Sequence, residues 1–153
     1  INISPKEKLD NDGADNVDFL FSANSKSKIQ KINEIASGGE ISRVMLVLKA
    51  LMARSKQLPT IVVDEIDTGV SGEIADKMGG IMKDMGNTMQ VICITHLPQI
   101  ASKGGKHYRV YKAESTTKIA ELTTDQRINE IAQMLSGSNI TQAAIDNAKE
   151  LLK

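Results

Sequence analysis

Thr60-Ile61-Val62-Val63-Asp64-Glu65 is a short, continuous β-branched run closed by two acids. A run apolar on both faces suits a central strand covered by helices on each side. Pro59 ends the preceding connection, and Gly69 and Gly72 mark a tight loop afterwards. Further on, Gln90-Val91-Ile92-Cys93-Ile94-Thr95 has the same buried-strand character and delivers His96 at its carboxyl end. Between the two runs, Ile74, Met78, Ile81, Met82 and Met85 form a helical stripe that ends at Gly86. Its methionines are read as flexible core filling rather than as a ligand box. Before the first run, Ile41, Val44, Met45, Leu48, Leu51 and Met52 recur at helical spacing behind Ser37-Gly38-Gly39-Glu40. Strand, helix, strand, helix, strand in this order predicts an α/β layered domain with a parallel core.

The flanks are less regular. Residues Ile1 to Gly13 are polar with isolated apolar positions, as in a frayed strand entering a turn at Asn11-Asp12-Gly13. Val17, Phe19 and Phe21 alternate with Asp18, Leu20 and Ser22, which predicts a strand with one strongly apolar face. The Ser- and Lys-rich stretch from Asn24 to Lys31 reads as a solvated loop. Tyr108 to Ala113 and Thr117 to Leu122, separated by Glu114-Ser115-Thr116, predict a hairpin. Two helices follow: Asp125 to Leu135, and one capped by Thr141 with Ile140 placed to staple onto Ile145.

Composition narrows the function classes. The 153 residues suit one domain, and 41% hydrophobic with 25% charged residues is globular composition. Nineteen basic against nineteen acidic residues, net charge +0, argues against nucleic-acid binding by bulk charge and against an acidic tail protein. The one cysteine, Cys93, excludes a disulfide framework and points to a reducing, cytoplasmic compartment. A zinc site from Cys93, His96 and His107 lacks a convincing fourth ligand. No apolar run reaches the roughly 18 to 20 residues of a membrane span, so no membrane partner is expected. The chain opens Ile1-Asn2-Ile3 without Met, and the expectation is a piece of something longer.

Three clusters carry chemistry. Ser37-Gly38-Gly39-Glu40 joins close backbone approach, free N–H groups at a helix start and a hydroxyl, an arrangement that binds phosphate; an ordinary helix N-cap after a glycine turn explains the same residues. Asp64-Glu65 at a strand end can offer one carboxylate to Mg²⁺ and a neighbour, pointing the other way, to orient or deprotonate water; acids are also common at strand ends with no ligand to hold. In Thr95-His96 at the next strand end, the imidazole can donate to a phosphate oxygen or position water; a lone histidine is more often a surface or satisfied core residue. A local basic segment, Lys103, Lys106, Arg109 and Lys112 with Tyr108 and Tyr111, is a weaker candidate for DNA contact, and a solvated loop with a lysine-guarded hairpin edge is the simpler reading.

Together, and in this order, the clusters resemble the second half of an ABC-type ATPase head: signature motif, Walker B strand and switch histidine. The longer strings Ile35-Ala36-Ser37-Gly38-Gly39-Glu40-Ile41-Ser42-Arg43-Val44-Met45, Asp64-Glu65-Ile66-Asp67-Thr68-Gly69-Val70-Ser71-Gly72 and Ile94-Thr95-His96-Leu97-Pro98-Gln99-Ile100-Ala101 resemble the RecN family of bacterial DNA repair ATPases, related to the structural-maintenance-of-chromosomes (SMC) proteins. The resemblance implies an α/β fold, an ABC/SMC-type P-loop ATPase head. Residues 1–153 would be its carboxyl-terminal lobe, parallel core strands flanked by helices and a hairpin, without the Walker A half and the coiled coil. It implies ATP and Mg²⁺ as cofactors of the complete head. Implied partners are the amino-terminal half of the same protein, a second head in a homodimer, and DNA in double-strand-break repair and recombination at the bacterial nucleoid.

By the same resemblance Ser37, Gly38, Gly39 and Glu40 bind nucleotide, the first three meeting the γ-phosphate across the dimer. Asp64 holds Mg²⁺, Glu65 is the general base and His96 senses the γ-phosphate. Asp67 joins the nucleotide site from the loop that crosses the dimer interface, where Ser71 stands in place of the usual Asp, and Ala36 replaces the common Leu. A Walker A motif is missing: before the pair Gly105-Lys106, Ile100 holds the first-glycine position, and His107 follows the lysine. The chain alone is therefore expected to bind ATP poorly and to hydrolyse it negligibly. Two other classes stay open: a non-catalytic interaction module with an ATPase-like fold, and a metal-dependent hydrolase built on Asp64, Glu65 and His96.

Overall fold

The computed structural model of the chain describes residues 1–22, 28–34, 38–56, 58–64 and 66–153. Strands β1 (Asn2–Asp10) and β2 (Gly13–Asp18) pair antiparallel, with Gly13 taking the positive φ of 103° that the turn requires. β3 (Leu20–Phe21) pairs with β4 (Gln30–Lys31), and a 3₁₀ turn at Ile32–Glu34 precedes α1 (Gly38–Lys56). The centre is a parallel strand-helix-strand unit of β5 (Thr60–Asp64), α2 (Gly72–Met85) and β6 (Gln90–Ile94), in register from Thr60 opposite Gln90 to Asp64 opposite Ile94. A short α3 (Pro98–Ala101), the hairpin of β7 (Tyr108–Ala113) and β8 (Thr116–Glu121), α4 (Thr124–Ser136) and α5 (Gln142–Leu151) complete the chain.

Local chemistry sets the boundaries. Pro98 opens α3, where a missing N–H costs nothing. Thr123 and Gln126 form a reciprocal capping box at α4: the Gln126 N–H donates to Thr123 Oγ1 at 3.4 Å and the Thr123 N–H to Gln126 Oε1 at 2.9 Å. At α5 the expected cap holds, with the Ala144 N–H donating to Thr141 Oγ1 at 3.2 Å.

Among the described residues two apolar cores result. The first gathers Leu46, Val63, Ile66, Val70, Ala75, Met78, Met82 and Ile100, with Ile61, Val91, Cys93 and Leu97 against it. The second joins α4 and α5 through Ile131, Ala132, Ala144 and Ala148. Period-two alternation decides what β5 and β6 contribute: Ile61, Val63, Val91 and Cys93 belong to the core face. Val62 (53% exposed), Ile92 (45%) and Ile94 (56%) lie on the opposite face. The sequence expectation of helices on both sides is thus met on one side only among the described residues.

α1 departs from its expected stripe. Its buried line is Gly39, Leu46 and Ala53, two turns apart each time, while Met45, Leu48, Leu51 and Met52 are substantially exposed. Amphipathic spacing identifies an apolar face without saying which part of it meets a partner. Val17 and Phe19, expected on a buried strand face, are likewise more than half exposed, because a two-stranded ribbon shields neither face well.

Gly79 is where α2 and α3 touch. A Cβ there would stand 2.9 Å from Lys103 Cγ, 3.2 Å from the Gln99 carbonyl oxygen and 3.4 Å from Ile100 Cα, whereas one on Gly80 would meet nothing within 4 Å. Gly80→Ala is therefore expected to raise the stability of the chain by about 0.5–1 kcal/mol through helix propensity. Gly79→Ala should lose that gain to the α3 contact and melt at or below wild type. Chemical denaturation of both variants checks the difference.

Candidate functional site

The parallel register brings the loops after β5 and β6 to one edge of the molecule, the edge where open α/β sheets hold ligands. Asp64, the last residue of β5, is exposed there. Two residues later the chain turns inward: Ile66 enters the core, and Asp67 is buried at 1% exposure. The Val70 N–H donates to the Asp67 carbonyl at 3.1 Å, and Gly69 takes a φ of 70°, closing the turn.

A buried carboxylate has to be hydrogen-bonded to be tolerated. Oδ2 of Asp67 accepts from the Thr95 hydroxyl and, at 3.1 Å, from the His96 N–H. Nδ1 of His96 lies 3.4 Å from the same oxygen, while the side chain as a whole is 73% exposed. Thr95 Oγ1 in turn accepts from the Leu97 N–H at 3.0 Å, so its hydroxyl is fixed in both roles. The loop after β5 and the loop after β6 are thereby tied through one oxygen atom, with the outer edge of the imidazole in solvent.

The entrance of α1 abuts the same loop. A Cβ on Gly39 would stand 3.0 Å from the Thr68 carbonyl oxygen and 3.7 Å from that of Gly69. Glycine at this position is thus required by packing within the chain, whatever ligand the helix start also meets. Gly38 and Glu40 lie in the first turn of α1. Ser37, Glu65 and the side chain of Glu40 fall outside the described residues. Of the expected site, the structure brings Gly39, Asp67 and His96 around one loop and sets Asp64 at the same sheet edge. Asp67, expected at an interface, is interior and engaged with its own chain. Sequence reasoning set Thr95 beside His96 without giving its hydroxyl a role.

Among the described residues no three His, Cys, Asp or Glu side chains cluster as a metal site. The Cys93 thiol is pushed up to about 11, by burial first and then by the negative charges of Asp67 and Asp64, so it stays a neutral thiol. Much of the basic segment is internally neutralised: Lys103 pairs with Asp76 at 2.8 Å, Lys106 with Glu121, and Arg109 with Glu130 at 3.3 Å.

His107 is half-buried beside a cleft of about 320 Å³ that Lys106, Glu121, Thr123 and Arg127 also line. Arg127 holds the loop after α3 by donating to the carbonyls of Ser102, at 2.7 Å, and Gly104. Burial, followed by the Arg127 charge, lowers the pKa of His107. The folded chain therefore favours the neutral ring, and below the ordinary imidazole value of about 6.5 protons bind the unfolded chain preferentially. Stability should fall as pH drops from about 7 through that value, and His107→Gln should flatten this part of the curve. Urea titrations between pH 5 and 8 check it.

No protein-family model matches the chain. It is 40% identical over 146 residues to the DNA repair protein RecN of Vibrio cholerae, covering 92% of this chain and 26% of that protein. It is 43% identical over 156 residues to RecN of Rickettsia typhi, covering 98% of this chain and 28% of that protein. The chain spans about a quarter of the length of these curated relatives. Among solved structures it resembles the Smc head domain with a coiled coil and joint from Pyrococcus yayanosii, at TM-score 0.66 and 18% identity over 93% of this chain and 23% of that one. It also resembles an Smc head domain with an extended coiled coil from Pyrococcus furiosus, at TM-score 0.65 and 18% identity over 82% of this chain and 30% of that one. The chain shares the fold of these Smc head domains.

Proposed function

We propose, from the premise that this chain is the carboxyl-terminal, SMC-like segment of the RecN family, that it supplies one part of the ATP site of a DNA repair ATPase. The observation that carries the proposal is the coincidence of family identity with the edge where Asp64, His96 and the α1 entrance lie next to one loop. Mg²⁺ is held by one or two carboxylates together with substrate phosphates and water, so a single exposed Asp64 suits it as one ligand among several. When bound, the ion neutralises charge developing on the transferred phosphoryl group. Glu65 takes the proton of the attacking water, and His96 faces the γ-phosphate. Ser37, Gly38, Gly39 and Glu40 face the nucleotide held by a second head in a homodimer.

The phosphate cradle and its lysine come from another part of a RecN-length protein, since the chain has no Gly-x-x-x-x-Gly-Lys string followed by Ser or Thr. The open face of β5 and β6, with Val62, Ile92 and Ile94, is where that other part packs. DNA double-strand-break repair and recombination at the bacterial chromosome follow from the same reading. The interaction-module alternative predicts no turnover in any setting. The hydrolase alternative predicts magnesium-dependent hydrolysis by the chain alone.

Purified alone, the chain should release phosphate from Mg·ATP no faster than a buffer blank, and clear turnover by it would overturn the division of labour. In a RecN-length protein carrying this segment, Glu65→Gln should lower kcat by about 100-fold or more while nucleotide binding persists. Unchanged turnover would remove Glu65 from the mechanism.

A further inference from the structure

We infer that Asp67 is a positioning residue that holds the His96 ring with a protonated Nδ1 turned toward its carboxylate and presents Nε2 outward. The functional meaning of that orientation rests on the reading of His96 as the phosphate-facing residue.

The geometry carries the tautomer. A carboxylate offers only acceptor sites, so the nitrogen facing it is best occupied by an N–H. Nδ1 is that nitrogen, 3.4 Å from Oδ2 of Asp67. In an unconstrained neutral imidazole the proton favours Nε2, so the carboxylate reverses the ordinary preference. Asp67 is itself held in place: it is 1% exposed, and Oδ2 is bound by the Thr95 hydroxyl and the His96 N–H. The Leu97 N–H aims the Thr95 hydroxyl, because it occupies the oxygen's acceptor side and leaves the proton for Asp67. His96 has no comparable burial of its own, its side chain being 73% exposed, and the 3.4 Å approach of Nδ1 to Oδ2 favours the ring orientation seen.

Two consequences follow for chemistry at Nε2. A neutral ring offers Nε2 as an acceptor, suited to holding a water proton. A protonated ring offers Nε2–H to a phosphate oxygen while the charge at Nδ1 is balanced by Asp67. In both states the donor or acceptor at Nε2 points the same way, and its direction is set by the loop after β5. That loop also receives Gly39 of the α1 entrance. The orientation of the histidine and the seat of the signature-like helix therefore share one support.

The test uses ¹⁵N-edited long-range spectra of the imidazoles at pH 8.5, about two units above the ordinary imidazole value. The chain has two histidines, and His107→Gln assigns the remaining signals to His96. In the wild-type chain Nδ1 of His96 is expected to carry the proton; a bare Nδ1 overturns the proposal. Asp67→Ala should move the proton to Nε2, and Asp67→Asn, which keeps an acceptor oxygen, should retain part of the Nδ1–H signal. An Nδ1–H signal that is equally strong without the carboxylate overturns it as well. Should Asp67→Ala fail to fold, the wild-type and Asp67→Asn spectra decide alone.

In a RecN-length protein carrying this segment, Asp67→Ala is expected to lower kcat about 10- to 100-fold. The double variant with His96→Ala should be no slower than His96→Ala. A further additive loss overturns the claim that Asp67 acts through His96. A protonated Nδ1 combined with full turnover in His96→Ala would instead sink the phosphate reading of His96 and leave the tautomer standing.

Discussion

The parallel ladder between β5 and β6 is the constraint on which the rest depends. Thr60 opposite Gln90 and Asp64 opposite Ile94 bring two strand ends to one edge. A slip by one residue would exchange the faces of a strand, turning Val63 out and Val62 in. The burial of Val63 at 0% and the packing of α2 through Met78, Met82 and Ala75 oppose that slip. With the register held, Asp67 and Thr95, separated by 28 residues, come within hydrogen-bonding reach. The candidate site is thus a product of the core beneath it.

A buried carboxylate at such a position is costly unless its oxygens are engaged. Here one oxygen receives the Thr95 hydroxyl and the His96 N–H, both from the neighbouring strand end. Each hydrogen bond to a charged group contributes about 1.5–3 kcal/mol, so loss of either partner leaves Asp67 under-satisfied inside the protein. The same residue that closes the loop after β5 therefore also fixes the next loop. This coupling places Gly39, Asp67 and His96 around a common support while Asp64 stays in solvent.

Much of this was legible in the residues. The β-branched runs marked β5 and β6, helical periodicity marked α1 and α2, and Thr141 marked the start of α5. The motif strings singled out Asp64 and His96, which the structure sets at the ends of β5 and β6. Pattern alone did not reveal the one-sided burial of the sheet, because Val62, Ile92 and Ile94 are as apolar as the residues that meet α2. The same ambiguity put Met45 and Leu48 on the core face of α1 in place of Leu46. The Thr95–Asp67 bond was hidden for a different reason: it exists only once two strands distant in sequence are in register. α3 is too short for its periodicity to register. The half-burial of His107 depends on Arg127 and the hairpin closing around it.

The central claim is that the chemistry on this chain is one part of a shared ATP site and that the open apolar face of its sheet receives the rest. The most direct measurement is nucleotide affinity, by titration calorimetry with Mg·ATP, for the chain alone and for its complex with the remaining segments of a RecN-length protein. The account predicts no saturable binding by the chain alone and saturable, magnesium-dependent binding by the complex. Equal binding in the two samples, or a chain that does not associate with those segments, would contradict it.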